Sequence, residues 1–352
     1  MSFNRICLVL TFIFFQNYEL LAINDSSSRF SSSRFKISSY FEFYYQYQSP
    51  NKRISELPSY VNSFKKLNQF NLNIGLIKAS YETKNFRSNL GLMTGNYGQA
   101  NLAHEPAPLR HLFEANVGFK LLKKNNVWID VGVIPSHIGF ESAISLDCWH
   151  LTRSIMADNT PYYEMGFKLT HTSKNEHWTS SLLVLNGWQQ MNQLEIHKTP
   201  ILGHQIVYQP DSSLKINSSS FVGHVNKELA SGMRYYHNFY LQKQLTKNKS
   251  VIAAFDIGRQ TISSNHFVWY SPLLGYLYEY SGRKKIALRL EYFYDPNTIV
   301  ILPSTNYFEA LGVSVNYDYK INKYMNIKNE FKWLKQSQST YAFCSALIIK
   351  PL

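Results

Sequence analysis

The sequence is short of charge, of cysteine and of long apolar runs. Only 17% of its 352 residues are charged, against about a quarter in ordinary soluble proteins. No stretch of 18 apolar residues occurs, and a spanning helix needs about 20, so a helical membrane bundle is excluded. Three cysteines, Cys7, Cys148 and Cys344, stand too far apart for a zinc ribbon or a disulfide framework. Collagen-like and coiled-coil readings fail for want of a repeat. Acidic residues are few as well: 23 Asp+Glu oppose 36 Lys+Arg, a net charge of +13. What is plentiful is apolar and aromatic. Hydrophobic residues make up 45% of the chain, and 25 tyrosines outnumber all the acidic residues together. That content argues against disorder.

Residues 1–22 read as an export signal. Arg5 precedes an almost unbroken apolar run from Ile6 to Phe15, and Ala22 stands just before the polar Asn24–Ser28. The run, about ten residues, is too short to cross a bilayer. The expectation is an exported chain, 23–352, forming a single domain.

Beyond the signal the hydrophobic period is two. Leu311, Val313, Val315, Tyr317 and Tyr319 alternate with Gly312, Ser314, Asn316 and Asp318. Phe113 to Leu121, Val127 to Ile134, Tyr162 to Thr170 and Ile286 to Tyr294 repeat the pattern. Such segments are strands with one apolar and one polar face. About sixteen of them are legible between residues 35 and 349, and many exceed the usual five or six residues of soluble strands. They reach the 9–11 or more that a tilted strand needs to cross a bilayer. Every second connection is short and polar, such as Ser173–Glu176, Thr246–Asn248 and Ser281–Lys284. The intervening ones are mostly longer, notably 98–109, 136–160, 188–200, 223–231 and 295–305. Alternating turns and loops mark an up-and-down barrel, with turns facing the periplasm and loops facing outward. Lipid cannot hydrogen-bond exposed backbone, so the sheet must close. The expected fold is therefore all-β: a closed antiparallel transmembrane barrel of about 16 strands in the outer membrane of a Gram-negative bacterium. Trp128, Trp178, Trp188, Tyr270, Tyr280, Tyr317 and Trp333 near strand ends suit interfacial girdles.

The stretches Leu92–Asn101, Glu114–Gly118, Pro135–Ser142, Leu151–Ser154, Asn159–Glu164 and Leu185–Gln189, with weaker echoes at Ser219–Gly223, Phe255–Gly258 and Arg289–Tyr292, carry a further signal. On them the chain resembles the OmpL-like β-barrel porin family of Bacteroidetes-type bacteria. The resemblance covers nearly the whole mature chain and is densest from 90 to 190. It implies an outer-membrane porin-type barrel without a catalytic site. One departure is the end Ile349-Lys350-Pro351-Leu352, where the barrel-assembly machinery usually reads a terminal aromatic residue.

The inward face is charged. The expected pore-lining residues are Glu114, Lys120, Asp130, Glu164, Lys168, Asp256, Arg289, Glu291, Lys328 and Glu330. Unpaired charges are costly in a dry core but not in a water-filled lumen. They either form cross-strand ion ladders or set charge selectivity. The connection 136–160 is the sharpest local feature, because about 25 residues without regular structure are usually functional. It is expected either to fold inward, placing Glu141, Asp147 and Arg153 at a constriction, or to lie over the barrel mouth as a lid. No metal site, no cofactor and no catalytic set is legible, including the Ser/His/Asn sets that barrel lipases carry on an outer face. The basic excess sits largely in the short turns, at Lys123, Lys124, Lys174, Lys247, Lys249, Arg283, Lys284 and Lys323. Expected partners are outer-membrane lipid and lipopolysaccharide, small hydrophilic solutes and the barrel-assembly machinery, with no nucleic acid. The function expected is passive diffusion of small hydrophilic solutes. The alternative is a non-conducting barrel whose loops bind a surface partner or glycan.

Overall fold

Alternating apolar and polar residues force extended backbone, because only a strand sends successive side chains to opposite faces. In the computed structural model, which describes residues 34–50, 54–122, 126–192, 200–225, 232–301 and 307–351, sixteen strands form. The expected signal at 1–22 lies outside the described residues. The first eight are β1 (Phe35–Ser49), β2 (Phe70–Glu82), β3 (Phe86–Thr94), β4 (Leu112–Leu122), β5 (Asn126–Pro135), β6 (Tyr163–Thr172), β7 (Trp178–Leu185) and β8 (Ile201–Asp211). The rest are β9 (Leu214–Val225), β10 (Gly232–Thr246), β11 (Lys249–Ile262), β12 (Asn265–Ser281), β13 (Lys284–Asp295), β14 (Phe308–Lys320), β15 (Met325–Lys335) and β16 (Ser339–Ile349). Each pairs antiparallel with its sequence neighbours, and β1 closes on β16, from Phe41 opposite Ile349 to Ser49 opposite Tyr341. Closure leaves no free edge. A ring of sixteen strands is wide enough to enclose an aqueous channel.

β11 shows how the pattern works. Phe255 and Ile257 are exposed on the outer wall, whereas Ala254, Asp256 and Gly258 between them are buried on the inner one. The outer wall is apolar almost throughout, with Leu90, Phe167, Leu182, Leu274, Leu288 and Phe343 exposed. Trp178 packs at a tilt on Tyr208 and Tyr270 on Tyr294 along that wall, as expected of girdle residues. Two of the expected girdle positions face elsewhere. Trp128 shares the inner face of β5 with Asp130 and lies under the Arg87 guanidinium, 4.5 Å from the ring centre. Trp188 follows β7 and packs inside on Phe221 and Tyr236. A tryptophan near a strand end does not reveal its face; only the register does.

Six described connections at one end are tight, and the basic side chains Lys174, Lys247, Arg283, Lys284 and Lys323 are exposed there. The opposite end carries the long connections, with two exceptions. Residues 263–264 and 336–338 turn tightly between strands at that end. The longest departure from expectation is the described segment 54–69, between β1 and β2, which is as substantial as the other loops and re-enters the barrel. Two short helices lie in the loops, α1 (Asn96–Asn101) and α2 (Ile155–Asp158). No described helix is long and apolar enough to cross a membrane.

The interior holds an apolar core as well as polar side chains. Tyr60, Ile138, Ile155, Leu183, Phe221, Tyr236, Trp269, Phe293, Ile299, Ile301 and Phe308 form one buried cluster of wall and loop residues. A second joins Tyr44, Phe64, Ile74, Met93, Tyr97, Leu151 and Ile348. At the loop end the inner wall is thus apolar where re-entrant segments cover it. The fully polar inner face expected from alternation holds mainly elsewhere.

Candidate functional site

The site begins at Gly132. Its φ of +122° is a left-handed conformation open to glycine, and a Cβ there would run into the Ala115 carbonyl. Three residues later β5 ends, and the chain turns into the barrel. His137, the second residue of the loop, is wholly buried. Its Nδ1 meets the Glu164 carboxylate at 2.9 Å and its Nε2 meets the Ser220 carbonyl at 2.9 Å. Gln205 donates to the His137 carbonyl at 2.9 Å. The loop therefore starts anchored to β6, β8 and β9.

It then reaches the other side. β13 lies eight strands from β5 either way round the ring, so the two walls are opposite. The amide of Leu151 donates to Asn316 at 2.9 Å, that of Thr152 to Glu330 at 2.6 Å, and that of Ile155 to Glu291 at 2.7 Å. Lys328 donates to the Cys148 carbonyl at 2.9 Å and pairs with Asp318 at 2.9 Å. Segment 136–160 thus bridges the lumen from β5 to β13, β14 and β15.

Arg289 is the hub of this contact. Its guanidinium meets Glu141 at 3.2 Å, Glu330 at 3.0 Å and Glu291 at 3.5 Å, and donates to the Thr152 carbonyl at 3.0 Å. Lys332 gives Glu291 a second cation at 2.7 Å. Glu141 also accepts from the Ser154 amide at 3.0 Å and from the Ser154 hydroxyl. Ser154 in turn caps α2, accepting from the Ala157 amide at 3.1 Å. Three carboxylates around two cations leave an acidic excess, which the Thr152, Ser154 and Ile155 amides of the loop offset by hydrogen bonds.

Of the expected pore residues, Glu141, Arg289, Glu291, Lys328 and Glu330 come together here. Arg153 is buried and holds its own loop, donating to the Leu151 and Ala143 carbonyls at 2.7 and 3.2 Å and to the Ser145 hydroxyl at 3.1 Å. Asp147 is exposed and borders a cavity of about 490 Å³ between the loop and the wall. Lys78, Lys215, Tyr40 and Tyr240 line the same cavity. Glu114 pairs with Lys78 at 2.5 Å. Asp130 holds Arg87 through two bonds of 2.7 and 2.5 Å. Asp256 accepts from Tyr236 and from Asn238 at 2.5 Å. Lys168 is half-buried opposite Asp130, and Lys120 is half-buried opposite Trp128, near the tight-turn end.

Sequence reasoning missed the first loop. Ser63 donates to the Asp158 carboxylate at 3.1 Å, Asn62 to the Asp158 carbonyl at 2.8 Å, and Asn159 to the Tyr60 carbonyl at 3.1 Å. Segment 54–66 thus packs on the end of the crossing loop. The gap of twenty residues between the first two strands was the available signal. Asp158 is fully buried, and burial pushes its carboxyl up to about 7, against the pull of Lys332 and Arg153. His150, buried and faced by Arg289, Lys328, Lys332 and Arg153, is held well below the usual imidazole range and stays neutral. Cys148 and Cys344 are both buried and unpaired. Among the described residues no three histidine, cysteine or acidic side chains gather as a metal cage.

Solved outer-membrane channels share this fold. The anion-selective porin of Comamonas acidovorans superposes with a TM-score of 0.60 at 7% identity, over 90% of this chain and 99% of that one. The channel DcaP of Acinetobacter baumannii gives 0.61 at 7% identity, over 92% and 100%. OmpF of Salmonella typhi, in complex with daunomycin, gives 0.61 at 7% identity, over 90% and 97%. No curated protein matches the sequence. The family described as "Putative beta-barrel porin-2, OmpL-like" matches residues 34–346, and the chain belongs to that family.

Proposed function

We propose that the protein is a porin for passive diffusion of small hydrophilic solutes, with segment 136–160 as the constriction of a charged lumen. Family and fold place it in the outer membrane of a Gram-negative bacterium. One observation carries the constriction: the loop leaving β5 is hydrogen-bonded to β13, β14 and β15 across the ring. A segment so anchored narrows the path: Glu141, Arg289, Glu291 and Glu330 hold it in place, and the exposed Asp147, with Lys78 and Lys215 on the same cavity, sets the charge that a solute meets there. On the remaining inner wall, Glu114 with Lys78 and Asp130 with Arg87 act as paired ladders in the approach. Residues 1–22 serve as the export signal. Solutes from the tight-turn end pass the exposed lysines first, which supports a weak anion preference.

Deleting 141–157 and recording single channels tests this. A rise in unitary conductance is expected. Unchanged conductance in a variant that still shows heat-modifiable gel migration would overturn the constriction. A second reading has its own support. The apolar cluster around Phe221 and Ile301 fills the interior at the loop end, which favours a barrel that conducts little and presents its loops to a partner. Absence of any conductance in the wild type, restored by the deletion, would favour that reading. Reversal potentials across a salt gradient test the anion preference, and cation selectivity would reject it.

A further inference from the structure

The outer wall should be apolar, because hydrocarbon offers no hydrogen bonds. On β8–β12 toward the loop end it is not. Arg259 lies between the buried Gly258 and Gln260, so its side chain stands on the outer wall, where it is exposed. It sits opposite Tyr235 in register, and its guanidinium is 5.9 Å from that ring. The ring nitrogens of His266 lie 3.1 Å from Nη2. Among the described residues Arg259 enters no ion pair.

One residue pair further from the rim, His204, Ser220 and His237 stand side by side on three adjacent strands. The Ser220 hydroxyl is hydrogen-bonded to His204 Nδ1, and the His204 and His237 rings stack with centroids 6.3 Å apart. Around them the wall is apolar and exposed at Leu182, Leu202, Ile206, Phe239 and Ile257. Same-face residues along a strand are about 7 Å apart, so both rows fit beneath one headgroup. A nucleophile–base reading of Ser220 and His204 fails. No carboxylate among the hydrogen-bond partners found orients the imidazole.

We propose that this face binds a phosphate of a phosphorylated glycolipid in the outer leaflet, with Arg259 as the main cation and His204, His237 and His266 as further donors. The proposal rests on the loop end facing outward, as the porin reading has it. A guanidinium at the membrane boundary costs about 0–1 kcal/mol. A phosphate turns that cost into charge-assisted, forked hydrogen bonds. Charge complementarity selects the ligand: the patch has cations and neutral donors and no carboxylate, which suits a dianionic headgroup better than a zwitterionic one. The tight 263–264 hairpin leaves Arg259 and His266 uncovered at the rim.

The test is native mass spectrometry of the refolded protein in detergent. It is incubated with acylated diglucosamine lipid carrying both phosphates, or with the same lipid after their removal. The wild type should retain the phosphorylated form preferentially. Arg259→Gln should retain about tenfold less of it, which is about 1.4 kcal/mol, at unchanged heat-modifiable migration. Lys335→Gln, on the outer face of β15, should leave retention unchanged. Equal retention of the two lipids, or no effect of Arg259→Gln, overturns the proposal. So does an oligomer that forms without lipid and dissociates in Arg259→Gln, which would make the occupant a second copy of the chain. Binding in detergent does not depend on which end faces outward. Labelling a Ser263→Cys variant on whole cells tests the orientation separately.

Discussion

Arg289→Gln is the substitution on which the lumen contact turns. The wild-type guanidinium is buried among Glu141, Glu291 and Glu330, whose side chains are 4%, 2% and 0% exposed. Removing one partner of such a buried pair costs about 3–5 kcal/mol, because the charge left behind is uncompensated. The three carboxylates do not lose equally. Glu291 keeps Lys332, and Glu330 keeps the Thr152 amide and hydroxyl. Glu141 keeps the Ser154 amide and hydroxyl but loses its cation. The lower half of the range, about 3–4 kcal/mol, is therefore expected. The sheet does not bear that cost, since β13 stays hydrogen-bonded to β12 and β14 over its length. The loop bears it, because Glu141 and the Thr152 carbonyl belong to the loop. Hydrogen exchange at Leu151, Thr152 and Ile155 should accelerate by about two to three orders of magnitude, at 1.4 kcal/mol per tenfold. Exchange in β13 should stay as it is. Channel recordings should show larger or noisier currents in the same variant. If those three amides exchange as in the wild type while the barrel is intact, Arg289 does not hold the loop and the reasoning fails.

Three further outcomes follow from the same interior. Asp158 has its carboxyl raised to about 7 in the folded chain, so the folded form binds the proton more tightly than the unfolded one. Its contribution to loop docking is complete below the ordinary carboxylate range near pH 4 and is lost as pH rises through about 7. Protection of amides in 54–66 should fall between pH 6 and 8, and Asp158→Asn should abolish that dependence; a pH-independent wild type refutes it. Asp295 accepts from the amides of Ile299, Val300 and Ile301 at 2.9, 2.7 and 3.0 Å. Asp295→Ala leaves the buried Ile299 and Ile301 donors unmet at about 1–3 kcal/mol each, so proteolysis should open the β13–β14 loop, and resistance equal to the wild type would contradict this. Phe221→Ala removes a ring buried against Trp188 and should lower unfolding stability by about 3–5 kcal/mol in a denaturant titration; a loss below about 1 kcal/mol would mean the interior cluster is loosely packed.

The barrel was legible because its signal is local. Alternation of period two states which residues share a face, and tight polar turns such as Ser281–Lys284 fix where strands end. Length and closure then follow from the bilayer, since hydrocarbon tolerates neither a short strand nor an open edge. The charges facing inward were readable in the same way, so Glu114, Asp130, Glu291 and Glu330 could be assigned a face without a partner. Arg289 opposite Glu141 could not be found, because the two are 148 positions apart and meet only when the loop crosses the ring. The same holds for Ser63 with Asp158, and for His204, Ser220 and His237, which three separate strands bring side by side. Trp128 and Trp188 show the limit at single residues, since an aromatic near a strand end serves a girdle or a lumen equally well until register decides. The sequence by itself determined a closed, lipid-facing sheet whose polar residues point to its inner wall. The tertiary structure alone decided that this wall is bridged, and by which loop, because a lumen is filled by contacts between residues far apart in the chain, and no periodicity records them.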